Sequence, residues 1–422
     1  MLALDRRARL RVLPHAVSPD ALLAALAGRR RAVLVPFAGM TLVAADPTEV
    51  VEGPAAWEAL DIPCSGPSAG PGAAAGAWVG VLAYDLAGTV ERLPAPLPDP
   101  GGPPPAVLGR YDTVALVDAG GRCTLATVAD AAALEDLEAV ALTAGRRAPA
   151  PRVAAAPDLE SSLDASGYRA MVAAARELIA AGDCYQVNLV QRLRAPWAHG
   201  PLALARRLWE AAGPASHRAF VDTGRGAVVS ASPERLLSTR HGLASSEPIK
   251  GTDAAGQGER LATSGKDLAE HVMIVDLVRN DLGRVAVSGG VSVPRLFAAL
   301  ETPYAAHMVS RVRARLVEGA SAADVLRAVF PAGSVTGAPK VRAMEVIREL
   351  EPVGRGPAFG SVVAVGRDGQ VEASVAIRTA WLHRGEARYW CGGGVVWDSD
   401  PDAERRESWA KATPFLRALG GG

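Results

Sequence analysis

Two pairs of carboxylates, one lysine and a run of glycines are the residues of this 422-residue chain whose types and spacing suit chemistry. Asp267 and Glu270 are three apart, and so are Glu404 and Glu407. On helices each pair shares a face and aims two carboxylates at one place. Four hard oxygen donors suit Mg2+, which keeps part of its water shell. The other reading is two solvated helix faces, since pairs of this kind are common among 45 acidic residues. Lys250 stands in EPIKGT, 247–252, beside Pro248 and Gly251. Held partly buried at a constrained turn, its ammonium is disfavoured and a neutral amine can attack carbon; alternatively it is a surface lysine in a turn. Gly392, Gly393 and Gly394 interrupt a strand-like stretch. Such glycines mark either a β-bulge or a ligand lying close to bare N–H groups. Arg378 and Lys411 would add positive charge for a carboxylate there.

Two further segments carry less. GSVTGAPK at 333–340 opens a helical pattern, but it lacks the G-K-[ST] ending and no G-x-G-x-x-G occurs, so nucleotide binding is not indicated. His307 is a lone histidine in a mixed polar and apolar stretch, a setting more often structural than catalytic.

The elements that must hold these residues are legible from periodicity. Tyr168, Met171, Val172, Ala175, Leu178 and Ile179 follow helical spacing, and Gly182 ends that helix. A strand over 185–193 follows, with Tyr185, Val187 and Leu189 on one face. Helices are expected over 266–282 and 401–419, the second capped by Asp400 with Pro401 at its first position. Strands are expected over 360–365, 371–377 and 387–396. The amino-terminal part alternates helical and strand-like stretches, such as 21–26, 32–36 and 78–84. Residues 94–105 hold seven prolines and 146–157 read RRAPAPRVAAAP, so a two-part chain is expected: 1–150, then 163–422.

Composition excludes several classes. Basic and acidic residues balance at 45 each, which gives no cause to expect nucleic acid or an anionic membrane as partner. Arg6, Arg7, Arg9 and Arg11 are not followed by an apolar run, so no secretory signal is expected. The uncharged stretch 62–84 is too rich in Gly, Pro and Ser for a membrane helix. Cys64, Cys123, Cys184 and Cys391 form no C-x-x-C unit, so neither zinc nor a disulfide framework is expected, and reduced cytoplasmic thiols are.

In order, the chain carries GDCYQVNL (182–189), SPERL (232–236), PIKGT (248–252), AEH (269–271), DLVRNDL (276–282), GSVTGAPK (333–340) and GGGVV (392–396). Together these resemble the chorismate-utilising enzymes, which include the component I chains of anthranilate synthase and aminodeoxychorismate synthase and the isochorismate and salicylate synthases. The resemblance runs from about 165 to 419. It implies an α+β fold, a β-sandwich core with outer helices, and an active site in the carboxy-terminal part. By resemblance Glu270 and Glu407 are Mg2+ ligands, and Asp267 and Glu404 reach the metal through water. Gly251, Thr252, Arg378, Gly392, Gly393, Gly394 and Lys411 match chorismate-binding positions. Glu234 matches the general acid for the departing C4 hydroxyl, and His307 and Ser334 line the ring.

Three positions separate the branches of that family. At Lys250, relatives that form anthranilate typically carry alanine, whereas those that aminate at C4 carry this lysine, which attacks C2 in their mechanism. At Gln186 the water-using branches place a lysine base, a role glutamine does not fill. Ser334 is compatible with the amine-transferring branch. The implied product is 4-amino-4-deoxychorismate, a precursor of 4-aminobenzoate and folate. Some positions depart from the family: Ala358 replaces an aromatic, Val363 and Ala364 replace a Gly-Tyr pair, and SHRA at 216–219 replaces a tryptophan-binding segment. No cysteine lies in a G-x-C-x-G elbow, so the resemblance implies a separate glutamine amidotransferase subunit as the ammonia source. The alternatives are anthranilate synthesis and a silent chorismate-binding scaffold.

Overall fold

The computed structural model describes residues 8–64, 70–99, 101–144, 158–253, 265–301 and 306–420; the side chains within 251–267 and 300–306 lie outside the described set. Two large antiparallel sheets form the body. Among the described residues the first has twelve strands. In spatial order they are Arg9–Val12, Cys123–Thr127, Thr113–Val117, Met40–Ala44, Val33–Phe37, His217–Asp222, Ala227–Ser232, Thr379–His383, Glu386–Val395, Gln186–Pro196 and Gly337–Ala338, with Glu160–Ser161 beside Gln186–Pro196. The second has ten: Ile249–Asp253, Ala306–Leu316, Leu243–Glu247, Arg235–Arg240, Val371–Val375, Ser361–Val365, Ala77–Leu82, Ala106–Tyr111 and Glu49–Glu52, with Ala286–Glu301 beside Ala306–Leu316.

Period-two alternation builds the layers. Val33, Val35 and Phe37 point into a cluster shared with Val79, Val81, Leu108, Leu237 and Val363 of the second sheet. The intervening Leu34 and its neighbour Val43 point the other way, onto Leu22, Leu204, Leu208 and Phe415 of the covering helices. This is the expected α+β sandwich with outer helices.

The expected two parts share both layers. Strands from before residue 128 enter each sheet, pairing Val33 with Val221 in the first and Val81 with Val362 in the second. Of the expected junction, residues 145–157 lie outside the described set.

The elements that position the site are these, in chain order: β1 Gln186–Pro196, β2 Ile249–Asp253, α1 Gly265–Gly283, β3 Ala306–Leu316, α2 Lys340–Leu350, β4 Thr379–His383, β5 Glu386–Val395 and α3 Pro401–Ala418. The start of α3 is as read: Asp400 accepts the Ala403 N–H at 2.8 Å and Pro401 follows. The strand over 185–193 is extended to Pro196 and begins one residue late. Val187 and Leu189 are buried, but Tyr185 is 74% exposed and lies beyond the end of the ladder. Periodicity assigns a face; it does not say where the covering layer stops.

Candidate active site

Lys250 is on β2, at the edge of the second sheet, opposite Met308 of β3. A register shift separates it from Thr252. This is a strand position, and the lysine side chain is 17% exposed, so a surface turn is not its setting. Its Nζ lies 3.9 Å from Glu270 Oε2 on α1. Burial lowers its pKa, the Lys411 charge adds to that, and Glu270, Glu234 and Glu407 oppose it. Those partners come from α1, α3 and the turn after Ala227–Ser232, so Lys250 stands where four elements converge.

Glu234 occupies that turn and is 4% exposed. Burial pushes its carboxyl up to about 7, against the Ser334 hydrogen bond, the Lys250 charge and the Ile249 N–H. Ser334 Oγ donates to Glu234 Oε1 at 2.7 Å. The turn bearing Ser334, Gly333–Val335, is pressed against α1: a Cβ on Gly333 would stand 2.4 Å from Leu277 Cδ2. A Cβ on Gly337 would meet the Gln186 carbonyl at 2.1 Å. The glycines of GSVTGAPK therefore serve close packing, and the segment is no phosphate loop.

The glycine run has an unbroken register: Val190, Leu189 and Asn188 of β1 face Gly392, Gly393 and Gly394 of β5 in turn. There is no bulge. The N–H groups of Val190 and Asn188 bond Glu351 and the Thr336 carbonyl instead of β5. Their opposite numbers, Gly392 and Gly394, accordingly aim their own N–H groups away from β1. On that side β4 pairs with β5 only through Glu386 to Tyr389, so no described strand covers the glycines. Lys411 Nζ bonds the Gly392 carbonyl at 3.0 Å and Glu407 Oε1 at 2.7 Å. A Cβ on Gly393 would lie 3.1 Å from Glu404 Oε2, 3.5 Å from Glu407 Oε1 and 3.6 Å from Lys411 Nζ. Glycine is thus what leaves room between β5 and the charged face of α3.

The family model for chorismate binding enzymes matches residues 28–417. The chain belongs to the chorismate-binding enzyme family. Aminodeoxychorismate synthase component 1 of Escherichia coli is 37% identical over 351 residues, covering 81% of this chain and 76% of that relative. The protein of that name in Klebsiella aerogenes is 41% identical over 355 residues, with the same coverage, 81% and 76%. Anthranilate synthase component 1 of Streptomyces coelicolor is 40% identical over 369 residues, covering 81% and 72%. Among solved structures, anthranilate synthase component I from Streptococcus pneumoniae matches with a TM-score of 0.75 at 27% identity, over 99% of this chain and 93% of that one. The menaquinone-specific isochorismate synthase of Escherichia coli matches with a TM-score of 0.76 at 20% identity, over 98% and 94%, a likeness of fold.

Of the positions matched to this chorismate-binding family, Lys250, Glu234, Ser334, Glu270, Glu407 and Lys411 are gathered around one place. Glu404 joins them beside Gly393. His307 is buried on β3, opposite Thr252 and next to Met308. Arg378 precedes β4 with a positive φ of 50°; its carbonyl accepts the Ala231 N–H and its charge acts on Tyr389 of β5. Gly251 and Thr252 lie on β2 and Asp267 on the first turn of α1, their side chains outside the described set. Among the described residues no three His, Cys, Asp or Glu side chains close on one point as a metal cage. The donor chemistry nevertheless fits a hard cation. Glu404 and Glu407 flank one glycine, and Glu270 faces the same lysine as Glu407, so carboxylate oxygens of the two helices converge.

Sequence reasoning missed several supports. Ser399 Oγ donates to Glu404 Oε1 at 2.7 Å and so orients that carboxylate. His271 bonds Ser310 at 2.7 Å and is driven down to about 4 by burial and Lys250, so it is neutral at pH 7. Lys340 pairs with Asp281 in the interior. A buried pair, Glu351 and Arg355, braces β1. The His271–Ser310 and Lys340–Asp281 contacts join residues far apart in the chain and leave no spacing signal. Glu351–Arg355 and Ser399–Glu404 are local pairs, but what they brace lies on distant segments.

Proposed function

We propose that the chain aminates chorismate at C4 to give 4-amino-4-deoxychorismate, for 4-aminobenzoate and folate synthesis. The observation that carries this reading is Lys250. It is a depressed-pKa amine beside a carboxyl kept protonated near neutrality, at the position where anthranilate-forming relatives typically carry alanine. Component 1 proteins of both kinds are similar to this chain to nearly the same degree, so overall identity does not choose between them.

In the proposed sequence the neutral Lys250 amine attacks C2, the two conjugated ring double bonds shift, and the C4–O bond breaks. Glu234 gives its proton to the departing hydroxyl, which leaves as water. Ammonia then adds at C4, the two double bonds return, the C2–Nζ bond breaks to release the Lys250 amine, and a proton from the new C4 ammonium restores Glu234. Two easier displacements replace one hard step. The outward N–H groups of Gly392 and Gly394, with Lys411 and Arg378, would bind carboxylate, and Gly251, Thr252 and His307 would line the substrate. Mg2+ fits as a cofactor held by Glu270 and Glu407, with Asp267 and Glu404 acting through water. When bound it would neutralise the ring carboxylate of chorismate.

Ammonia would come from a glutamine amidotransferase subunit. The four thiols of this chain are all buried, and burial pushes Cys64, Cys123 and Cys391 up to about 11, far from the thiolate that glutaminase chemistry needs. Among the described residues no helix is long and apolar enough to cross a membrane. A cytoplasmic location is proposed on the four free thiols.

The test is product analysis. The purified chain, chorismate, MgCl2 and ammonium chloride should yield aminodeoxychorismate without pyruvate, identified by liquid chromatography and mass spectrometry. Lys250→Ala should lower the rate by about 100-fold or more. Anthranilate with pyruvate would move the chain to the other branch. Activation of a glutaminase without consumption of chorismate would make it a scaffold.

A further inference from the structure

We infer that the buried Glu351–Arg355 ion pair is a positioning unit for the active-site acid, fixing the turn from which Ser334 holds Glu234. Along the edge of β1 away from β5, pairing with Gly337–Ala338 ends at Val187, leaving the main chain of Asn188 and Val190 in need of partners. Arg355 Nη2 donates to the Asn188 carbonyl at 2.6 Å and Nη1 to the Val335 carbonyl at 2.8 Å. Glu351 Oε1 accepts the Val190 N–H at 2.9 Å. The two side chains close on each other through Nε–Oε2 at 3.0 Å and Nη2–Oε1 at 2.7 Å. One ion pair thus satisfies three main-chain groups and ties β1 to the turn Gly333–Val335.

That turn is where Glu234 is held. Ser334 sends its hydroxyl to Glu234, while its carbonyl receives Asn188 Nδ2 at 3.3 Å. Arg355 therefore grips both neighbours of the serine, Asn188 and Val335, through the main-chain carbonyl of each. The guanidinium lies over the ring of Tyr84 at 4.5 Å and that of Phe359 at 5.0 Å. Tyr84 comes from the amino-terminal part, which in this way reaches the acid through three links. Only a planar fork fills a slot between two rings while bonding two carbonyls and a carboxylate. A pair wholly removed from water adds little net stability over apolar side chains of the same size, so stability alone does not account for it.

The inference rests on reading Glu234 as the acid, and the experiment separates the two. The groups facing Glu234 are the Ser334 hydroxyl, the Lys250 side-chain nitrogen and the Ile249 N–H. Amination is followed against pH at saturating free ammonia, where loss of the acid's proton gives the alkaline limb. Arg355→Lys should lower kcat by about 10- to 100-fold, with KM for chorismate changed by less than about threefold. It should also move the alkaline limb upward, because Glu234 loses a bond that favours its charged form. Ser334→Ala should move the limb the same way, and combining the two should add nothing further. A folded Arg355→Lys protein whose limb stays in place, whatever its rate, overturns the proposal. If circular dichroism shows that variant unfolded, Glu351→Leu/Arg355→Met, which buries no charge, is read by the same criteria; its failure to fold assigns the pair to stability and also overturns the proposal. Glu234→Gln should abolish the limb. A limb retained there sinks the acid reading itself, whereas a limb lost there but unmoved in the Arg355 variant sinks only the positioning role.

Discussion

At Glu234 the proposed role as an acid is set against stability. Its carboxyl titrates near 7 in the folded chain, against 4.5 for an unperturbed glutamate. Between those values the folded state binds more protons than the unfolded one, so this group's contribution to stability is full below about pH 4.5 and is lost as pH rises through 7. The full cost at alkaline pH is about 3 kcal/mol. Glu234→Gln should therefore be more stable than the parent by an amount that grows from near zero at pH 4.5 to about 2–3 kcal/mol at pH 7.5, while amination slows by about 100-fold or more to a residual rate without an alkaline limb. Urea unfolding at both pH values measures this, and a difference independent of pH would contradict it. His271 titrates in the opposite sense, its folded value near 4 lying below the usual 6.5, so it loses stability as pH falls. That slope is common to both proteins and cancels in the comparison.

At the scale of elements, the glycines of β5 have separate duties. A Cβ on Gly392 would stand 1.9 Å from the Leu189 carbonyl, a collision with backbone that β1 cannot relieve without breaking the ladder. Gly392→Ala should cost about 2–4 kcal/mol, seen as a lowered melting temperature. A Cβ on Gly393 meets only the ends of flexible side chains on α3, at 3.1 Å and beyond. Gly393→Ala should fold with nearly parental stability yet lose at least about tenfold in kcat/KM for chorismate, because the methyl group occupies the gap facing Glu404, Glu407 and Lys411. Equal effects of the two substitutions on stability would contradict this division. The Glu404 and Glu407 pair of α3 was readable from three-residue spacing because a helix converts local spacing into a shared face, and both carboxylates face Gly393. The side chain of Asp267 lies outside the described residues. That the two helices present Glu270 and Glu407 to the same lysine was not readable, since nothing local links positions so far apart.

At the scale of the molecule, both sheets draw strands from both sides of the Pro- and Ala-rich segment at 146–157. Removing the first 157 residues would strip Val33–Phe37 from His217–Asp222 and Ala77–Leu82 from Ser361–Val365. It would also lay open the apolar cluster between the layers and take the ring of Tyr84 away from Arg355. Residues 158–422 alone should show no cooperative thermal transition and should bind a dye that reports exposed apolar surface. A sharp transition for that fragment would establish an independently folding carboxy-terminal unit.

The sequence by itself determined the local elements and the family. Helix caps such as Asp400, apolar periodicity and the order of short motifs are properties of neighbouring residues, and they were legible for that reason. Tertiary structure decided which strands meet, because pairs such as Phe220 with Leu34 depend on complementary faces across nearly two hundred residues. It also decided the chemistry of the site. Whether Lys250 is a turn lysine or a buried amine, and whether Glu234 is a carboxylate or an acid, depends on the water each has lost and the charges each has gained, and both come from distant segments brought together only when the sheets close.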